Sequence, residues 1–101
     1  MRTPERVVAD ALVKHAQEAG LYIRKCHWES CVGAPDYCIL HAGRAFFIET
    51  KAPGEKPRLS QLAEFKKIRA AGCPVFVVDC MDDIMRAIIT ILEVECLPER
   101  S

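Results

Sequence analysis

Apolar residues recur every three to four positions in three segments of the chain, which is the spacing of an amphipathic helix. The first helix is predicted between the N-cap residue Thr3 and Gly20, and the second between the N-cap candidate Ser60 and Gly72. The third is predicted over residues 82–96, where apolar side chains leave only a narrow polar stripe. These three segments predict helices that cover the two faces of a sheet.

Shorter segments rich in β-branched and aromatic residues predict four strands. A two-residue turn at Ala42-Gly43 joins the second and third strands as a hairpin, and the fourth strand is apolar enough for a central position with both faces buried. The element order αβββαβα predicts an α/β fold in which helices flank a mixed sheet, and residues 1–101 are expected to form one domain. The predicted strands span residues 21–28, 36–41, 44–51 and 74–79.

The composition excludes a membrane-spanning chain and favours a cytoplasmic protein, or one of the host-cell cytoplasm if the source is viral. The first residues are charged, and no apolar run reaches the length of a bilayer span. The formal net charge is zero, but residues 44–69 carry seven basic and three acidic side chains, while residues 79–101 carry two basic and six acidic ones. A basic middle segment can attract phosphate groups while the whole molecule stays neutral.

The hairpin places two carboxylates on neighbouring strands. If Ala42-Gly43 is the turn, His41 pairs with Arg44, and the same antiparallel register sets Asp36 opposite Glu49. Opposed residues have Cβ atoms about 4.5 to 5.5 Å apart, and like charges there repel unless a positive group lies between them. The pattern therefore indicates a divalent cation, although a three-residue turn would shift the register by one.

Glu49 and Lys51 should share a face of their strand because side chains alternate with a period of two. Thr50 then points away and leaves its carbonyl oxygen as a further ligand. Two carboxylates, a hard metal ion and a lysine are the groups that phosphodiester hydrolysis requires, because they offset charge on the phosphate and activate water.

The residues GAPD at 33–36, followed by ETK at 49–51, resemble the PD-(D/E)xK nuclease superfamily, and residues 33–79 resemble the VRR-NUC family within it. This resemblance implies a restriction-endonuclease-like core and Mg²⁺ or Mn²⁺ as the cofactor. It implies that Asp36, Glu49 and the Thr50 carbonyl bind the metal and that Lys51 is the catalytic lysine.

The same resemblance implies roles for two further residues. Gln61 matches a glutamine at the start of the helix that follows the ExK strand, and it is expected to be catalytic. Glu5 matches an acidic residue of the first helix that completes the metal site. An acid in the first turn of a helix is also favoured by the helix dipole alone, so that explanation of Glu5 stays open.

Basic residues near these positions predict the DNA contacts, and the third helix predicts a partner. We expect phosphate contacts from Arg24, Lys25, Lys56 and Arg58. An apolar helix on a small domain favours self-association as a homodimer, unless loops or the Leu97-Pro98 tail cover its outer face. Together with the family resemblance, a dimer with two sites predicts a nuclease that makes paired cuts in branched DNA, such as four-way (Holliday) junctions.

Other interpretations remain at this point. A flap or duplex nuclease of the same fold is the nearest alternative, and a DNA-binding module that does not cleave is a second. A structural zinc protein is a third, with Cys26, His27, Cys31 and Cys38 as ligands, although their spacing matches no paired CxxC pattern. Buried thiols without a metal are the favoured explanation of these cysteines.

Overall fold

The computed structural model of the protein describes residues 2–96. It contains three helices and four strands in the predicted order αβββαβα. The bounds are α1 Pro4–Glu18, β1 Tyr22–Lys25, β2 Tyr37–His41, β3 Arg44–Thr50, α2 Leu59–Ala70, β4 Val75–Val78 and α3 Met81–Leu92.

The strands form one mixed sheet in the order β1-β2-β3-β4. β2 is antiparallel to both β1 and β3, and β4 runs parallel to β3. His41 lies opposite Arg44 across the hairpin. Ala42 and Gly43 both have positive φ values, of 56° and 77°, as a two-residue turn that matches the twist of the strands requires. The predicted turn and register are therefore confirmed.

The position of β4 differs from the prediction. It lies at the edge of the sheet beside β3, not at its centre. Val78 packs into a cluster with α1 and α3, whereas Val75 packs with α2 on the other face. The apolar sequence of β4 therefore reflects helices on both of its faces, which an edge strand can have as readily as a central one.

Two apolar clusters hold the sheet between its helices. The larger lies under α1 and α3 and includes Leu12, Ile39, Ile48 and Ile91, all fully buried. The smaller lies under α2 and contains Phe65, Ile68 and Val75, with Phe47 against it. Burying one such side chain stabilises the fold by about 1.5 to 3 kcal/mol. Because side chains alternate along β3, Glu49 and Lys51 follow Phe47 on the α2 face of the sheet.

Two element boundaries lie earlier than predicted. β1 ends at Lys25, which pairs with Tyr37, and the Cys26 N–H donates the last hydrogen bond of this ladder to the Asp36 carbonyl. The next residue of the partner chain in this direction is Pro35. Because proline has no N–H, it cannot extend the pairing toward Trp28. α3 ends at Leu92 and not at residue 96.

The start of α2 also differs from the prediction. Its N-cap is Arg58, not Ser60. The Gln61 side chain accepts a hydrogen bond from the Arg58 N–H at 2.8 Å, which is the return half of a capping box. The helix therefore begins two residues earlier because a side chain inside its first turn provides the cap.

α3 buries one apolar face and exposes another. Ile84, Ala87, Ile88 and Ile91 face the core. The residues Met81, Met85, Ile89 and Leu92, called here the outer stripe, each expose between 38% and 50% of their surface. Within residues 2–96, no helix combines the length and the hydropathy that a membrane crossing needs.

Replacing Ala42 with glycine should stabilise the protein, because a left-handed conformation carries a steric cost for alanine that glycine avoids. We expect the free energy of unfolding, measured with urea, to rise by about 0.5 kcal/mol. Ala45→Gly, in the neighbouring strand, is the matched control and should lower it by about 1 kcal/mol. Destabilisation by both changes would show that Ala42 is not left-handed in solution.

Candidate active site

Glu49 and Lys51 form a buried ion pair at the end of β3. The Lys51 ammonium lies 3.2 Å from Glu49 Oε2, and the two side chains are 8% and 2% exposed. Lys51 is fixed from the backbone side as well, because its N–H donates to the Val78 carbonyl of β4 at 2.9 Å. The structure thus places the two residues on the same face, as the alternation along the strand predicts.

Gln61 connects this pair to the start of α2. Its Nε2 donates to Glu49 Oε2 at 2.7 Å, while its Oε1 accepts from the Arg58 N–H. One amide therefore orients the Glu49 carboxylate and fixes the first turn of the helix at the same time. Gln61 is buried, as expected from its position on the face that carries Phe65 and Ile68.

Asp36 lies just before β2 and is tied to β3 through Thr50. Its Oδ2 accepts hydrogen bonds from the Thr50 N–H at 2.9 Å and from the Thr50 hydroxyl at 2.8 Å. The pairing of Tyr37 with Ile48, carried one step further, sets Asp36 opposite Glu49. The contact with the Thr50 hydroxyl was not expected, because alternation alone predicts that Thr50 points away from Asp36.

The glycine before this aspartate has a steric role. A Cβ atom added at Gly33 would lie 2.6 Å from the Ser60 carbonyl oxygen and 2.9 Å from the Gln61 Cα. Gly33 also has a φ of +91°, which side-chain-bearing residues rarely adopt. The Gly-Ala-Pro-Asp segment therefore packs directly on the first turn of α2 and brings Asp36 and Gln61 to the same end of the sheet.

The environment of Glu49 disfavours its charge. Burial, followed by the charge of Asp36, raises the pKa of Glu49 to about 7, although Lys51 and Gln61 act in the opposite direction. Glu49 Oε1 is buried and has no hydrogen-bond partner among the described residues. A buried carboxylate oxygen without a donor is costly unless a cation occupies the space next to it.

These residues fit a hard divalent cation. The predicted donors are the carboxylates of Asp36 and Glu49 and the backbone oxygen of Thr50, and Mg²⁺ and Mn²⁺ prefer such oxygen ligands. The unpartnered Glu49 Oε1 supports the fit because Oε2 already binds Lys51 and Gln61. The assignment of these ligands remains a prediction.

Glu5 lies in the first turn of α1, at a cleft of about 170 Å³ that Asp36, Thr50 and Lys25 also line. The structure therefore brings it to the same side of the site. Among residues 2–96, however, the carboxylates of Glu5, Asp36 and Glu49 do not all lie within 4.8 Å of one another. Glu5 thus lies near Asp36 without converging with both other acids, and its role at the metal stays a prediction.

The predicted DNA contacts come from different parts of the structure. Lys25 lines the cleft with Asp36, whereas Lys56 and Arg58 are exposed in the segment between β3 and α2. The Arg24 guanidinium lies 4.0 Å from the centre of the Tyr22 ring and donates to the Ile23 carbonyl. Arg24 thus lies on the surface of β1 and not in the cleft.

The four proposed zinc ligands do not converge. Within residues 2–96, the one group of three metal-binding side chains whose ligand atoms lie within 4.8 Å of one another is Asp79, Cys80 and Asp83. Burial raises the pKa of Cys26 to about 11, so this thiol keeps its proton at neutral pH. Thiolates are the form that binds zinc.

Comparison with known proteins identifies the chain. A solved structure described as a VRR_NUC domain superposes with a TM-score of 0.79, over 87% of this chain and 97% of that one, at 31% sequence identity. The chain belongs to the VRR-NUC family. The resemblance seen in residues 33–79 and the α/β fold are thereby confirmed.

A second relative of this VRR-NUC chain comes from Acyrthosiphon pisum secondary endosymbiont phage 1 and is provisionally named nuclease p44. The two are 45% identical over 51 residues, which cover 50% of this chain and 55% of the phage protein. The VRR-NUC chain thus spans about half the length of that relative. No family model matches the chain.

The raised pKa of Glu49 predicts how the stability of the metal-free VRR-NUC protein depends on pH. Between about pH 4.5 and 7, the folded protein binds a proton at Glu49 that the unfolded chain has released. The contribution of Glu49 to the free energy of unfolding should therefore fall as pH rises through this range.

Urea unfolding in EDTA from pH 4.5 to 8 tests this expectation. Glu49→Gln should remove that part of the pH dependence, because a glutamine has no proton to lose. Glu55→Gln, at an exposed carboxylate, is the control and should leave the wild-type slope in place. Equal slopes for wild type and Glu49→Gln would show that Glu49 keeps its ordinary pKa.

Proposed function

We propose that this protein is a metal-dependent DNA endonuclease that hydrolyses phosphodiester bonds. The observation that carries the proposal is the buried group at the end of β3, in which Lys51 and Gln61 hold one oxygen of Glu49 and leave the other without a partner. Burying two opposite charges beside a third group, Asp36, costs folding free energy. A site for a cation and a phosphate explains why such groups lie together.

Each residue has a defined task in this mechanism. Asp36, Glu49 and the Thr50 carbonyl would hold Mg²⁺ or Mn²⁺, which acts as a Lewis acid, offsets phosphate charge and lowers the pKa of water. Lys51 either positions the attacking water, or in its neutral form deprotonates it, or as an ammonium stabilises the charge that develops on the phosphate. Gln61 keeps the Glu49 carboxylate oriented through its hydrogen bond to Oε2.

The proposed substrate is branched DNA, with four-way junctions as the first candidate. Lys25 lines the cleft beside Asp36, and Lys56 and Arg58 are exposed in the segment that follows Lys51. Such residues contact the phosphate backbone without reading sequence. A protein that contacts DNA mainly through phosphates is expected to recognise the shape of the DNA and not its base sequence. A flap or linear duplex is the alternative substrate for the same site.

We further propose a homodimer formed through the outer stripe of α3. Four apolar side chains on one helical face are exposed, and a second copy would bury them on both sides of a two-fold axis. The Leu97-Pro98 tail, the alternative cover for this face, lies outside the described residues. Two copies would carry two sites, which suits paired cuts in a junction.

A DNA-binding module without cleavage is the competing function. It would need a basic surface but not a buried carboxylate with an unpartnered oxygen. That feature favours the nuclease over the module.

Cleavage assays on an end-labelled four-way junction, a flap and a linear duplex test the nuclease proposal. In Mg²⁺ or Mn²⁺, and not in EDTA, we expect symmetric cuts in the junction. Asp36→Asn and Lys51→Ala should each lower the rate by about a hundredfold or more, because each removes a charge that acts in the transition state. Asp36→Asn keeps a side-chain oxygen that can accept from Thr50, so the fold should be preserved.

Lys66→Ala is the control for charge alone, because Lys66 is an exposed lysine of α2. It should cleave at close to the wild-type rate. If the protein cuts only the flap or the linear duplex, the nuclease activity is supported and the four-way junction is rejected as its substrate. DNA binding without any cutting would favour the module.

The dimer proposal predicts that a charge in the outer stripe separates the subunits. Ile89→Glu should convert the protein to a monomer in sedimentation analysis, since a carboxylate cannot be buried between two apolar faces without a partner. Thr90→Glu adds the same charge to an exposed position outside the stripe and should stay dimeric. A wild-type monomer at micromolar concentrations would contradict the proposal.

A further inference from the structure

The segment of residues 52–58 connects the end of β3, which carries Glu49 and leads into Lys51, to α2. It begins directly after Lys51 and is exposed over most of its length. It carries Lys56 and Arg58, two of the four predicted DNA contacts. The position of these side chains relative to the site therefore depends on what holds this segment.

Two side chains outside the segment accept hydrogen bonds from its backbone. The Gly54 N–H donates to Asp79 Oδ2 at 3.0 Å, and the Arg58 N–H donates to Gln61 Oε1 at 2.8 Å. Within the segment, the Glu55 N–H donates to the Ala52 carbonyl at 2.9 Å and closes a turn that contains Gly54. Asp79 thus fixes the middle of the segment, while Gln61 fixes its end.

Asp79 is itself held in place. It follows β4, and the last residue of that strand, Val78, accepts a hydrogen bond from the Lys51 N–H. The Asp79 N–H donates to Asp83 Oδ2 at 3.3 Å in the first turn of α3. The carboxylate that binds Gly54 is therefore built on the same parallel strand pair that carries Lys51.

The charge of Asp79 strengthens this contact. The hydrogen bond from Gly54 lowers the pKa of Asp79, and the bond with Asp83 and the charge of Lys56 lower it further. The group is therefore ionised at neutral pH, and hydrogen bonds to an ionised acceptor are stronger than neutral ones.

We propose that Asp79 is a positioning residue that holds the 52–58 segment, and with it Lys56 and Arg58, in the conformation that binds DNA. The inference rests on the proposed DNA-cleaving function. A carboxylate next to a DNA-binding segment repels phosphate, so its presence there weakens binding unless it orders groups that attract phosphate.

The alternative role for this cluster is a second metal site, since the ligand atoms of Asp79, Cys80 and Asp83 lie within 4.8 Å of one another. The carboxylates are already used inside the protein, however. Asp79 Oδ2 accepts from Gly54, and Asp83 Oδ2 accepts from the Asp79 N–H. These bonds account for the cluster without an ion.

Three variants separate the hydrogen bond from the charge. Asp79→Ala removes both. Asp79→Asn removes the charge but keeps an oxygen that can accept from Gly54. Asp82→Ala removes an exposed carboxylate from the first turn of α3, close to Asp79 in the chain, and leaves the Gly54 contact intact.

DNA affinity, measured in EDTA by fluorescence anisotropy with a labelled four-way junction, is the first readout. Asp79→Ala should weaken binding about three- to tenfold and lower the salt slope by about one to two, because up to two phosphate contacts lose their order. Asp79→Asn and Asp82→Ala should bind as tightly as wild type or more tightly. If Gly54 exchange stays slow in Asp79→Asn, equal weakening by Ala and Asn would assign the effect to charge and overturn the proposal.

Single-turnover cleavage at saturating DNA is the second readout. We expect Asp79→Ala to match the wild-type rate there and to lose activity only at low DNA concentration. In a Lys56→Ala, Arg58→Ala background, Asp79→Ala should weaken binding no further, because residues that act together are not additive. A further loss in that background would show that Asp79 does not act through these two side chains.

Amide hydrogen exchange at Gly54 gives a readout that does not depend on activity. Exchange should be faster in Asp79→Ala than in wild type and should be slowed again in Asp79→Asn. Wild type that neither binds nor cuts DNA would reject the proposed function itself. Wild type that does both, with Asp79→Ala behaving like Asp82→Ala, would reject only the role of Asp79.

Discussion

The buried carboxylate of Glu49 is the constraint on which the site depends. A charge removed from water is stable only when other groups compensate it, and here Lys51 and Gln61 do so at one oxygen. Gln61 can reach Glu49 only if α2 begins where it does, with Arg58 as its N-cap. Gly33 lets the chain before Asp36 pass close to that first turn. The start of α2 and the close approach at Gly33 together hold the Glu49 carboxylate in place.

The two faces of the sheet have different tasks. α1 and α3 cover one face with the larger apolar cluster, which contains most of the buried apolar residues. α2 covers only part of the other face with a smaller cluster, and the polar site lies next to it. Because the side chains of β3 alternate, one strand contributes Ile48 to the first face and Glu49 to the second. Adjacent residues of β3 therefore contribute to the apolar core and to the candidate site.

The errors of the sequence prediction share a cause. β4 was expected at the centre of the sheet because its residues are apolar, but helices on both faces bury an edge strand equally well. Ser60 was expected to cap α2 because of its residue type, whereas a glutamine inside the helix provides the cap. The contacts of Thr50 with Asp36 and of Gly54 with Asp79 join residues 14 and 25 positions apart. Local pattern carries no information about such pairs.

The sequence by itself determined the element order, the hairpin register and the shared face of Glu49 and Lys51, since these follow from side-chain period and from a two-residue turn. The tertiary structure decided which oxygen of Glu49 is satisfied, where Asp36 is anchored, and that Asp79 reaches the segment after Lys51. Periodicity acts over a few residues, whereas these contacts depend on how α2 and the parallel strand β4 pack against β3. That packing is set by the whole core.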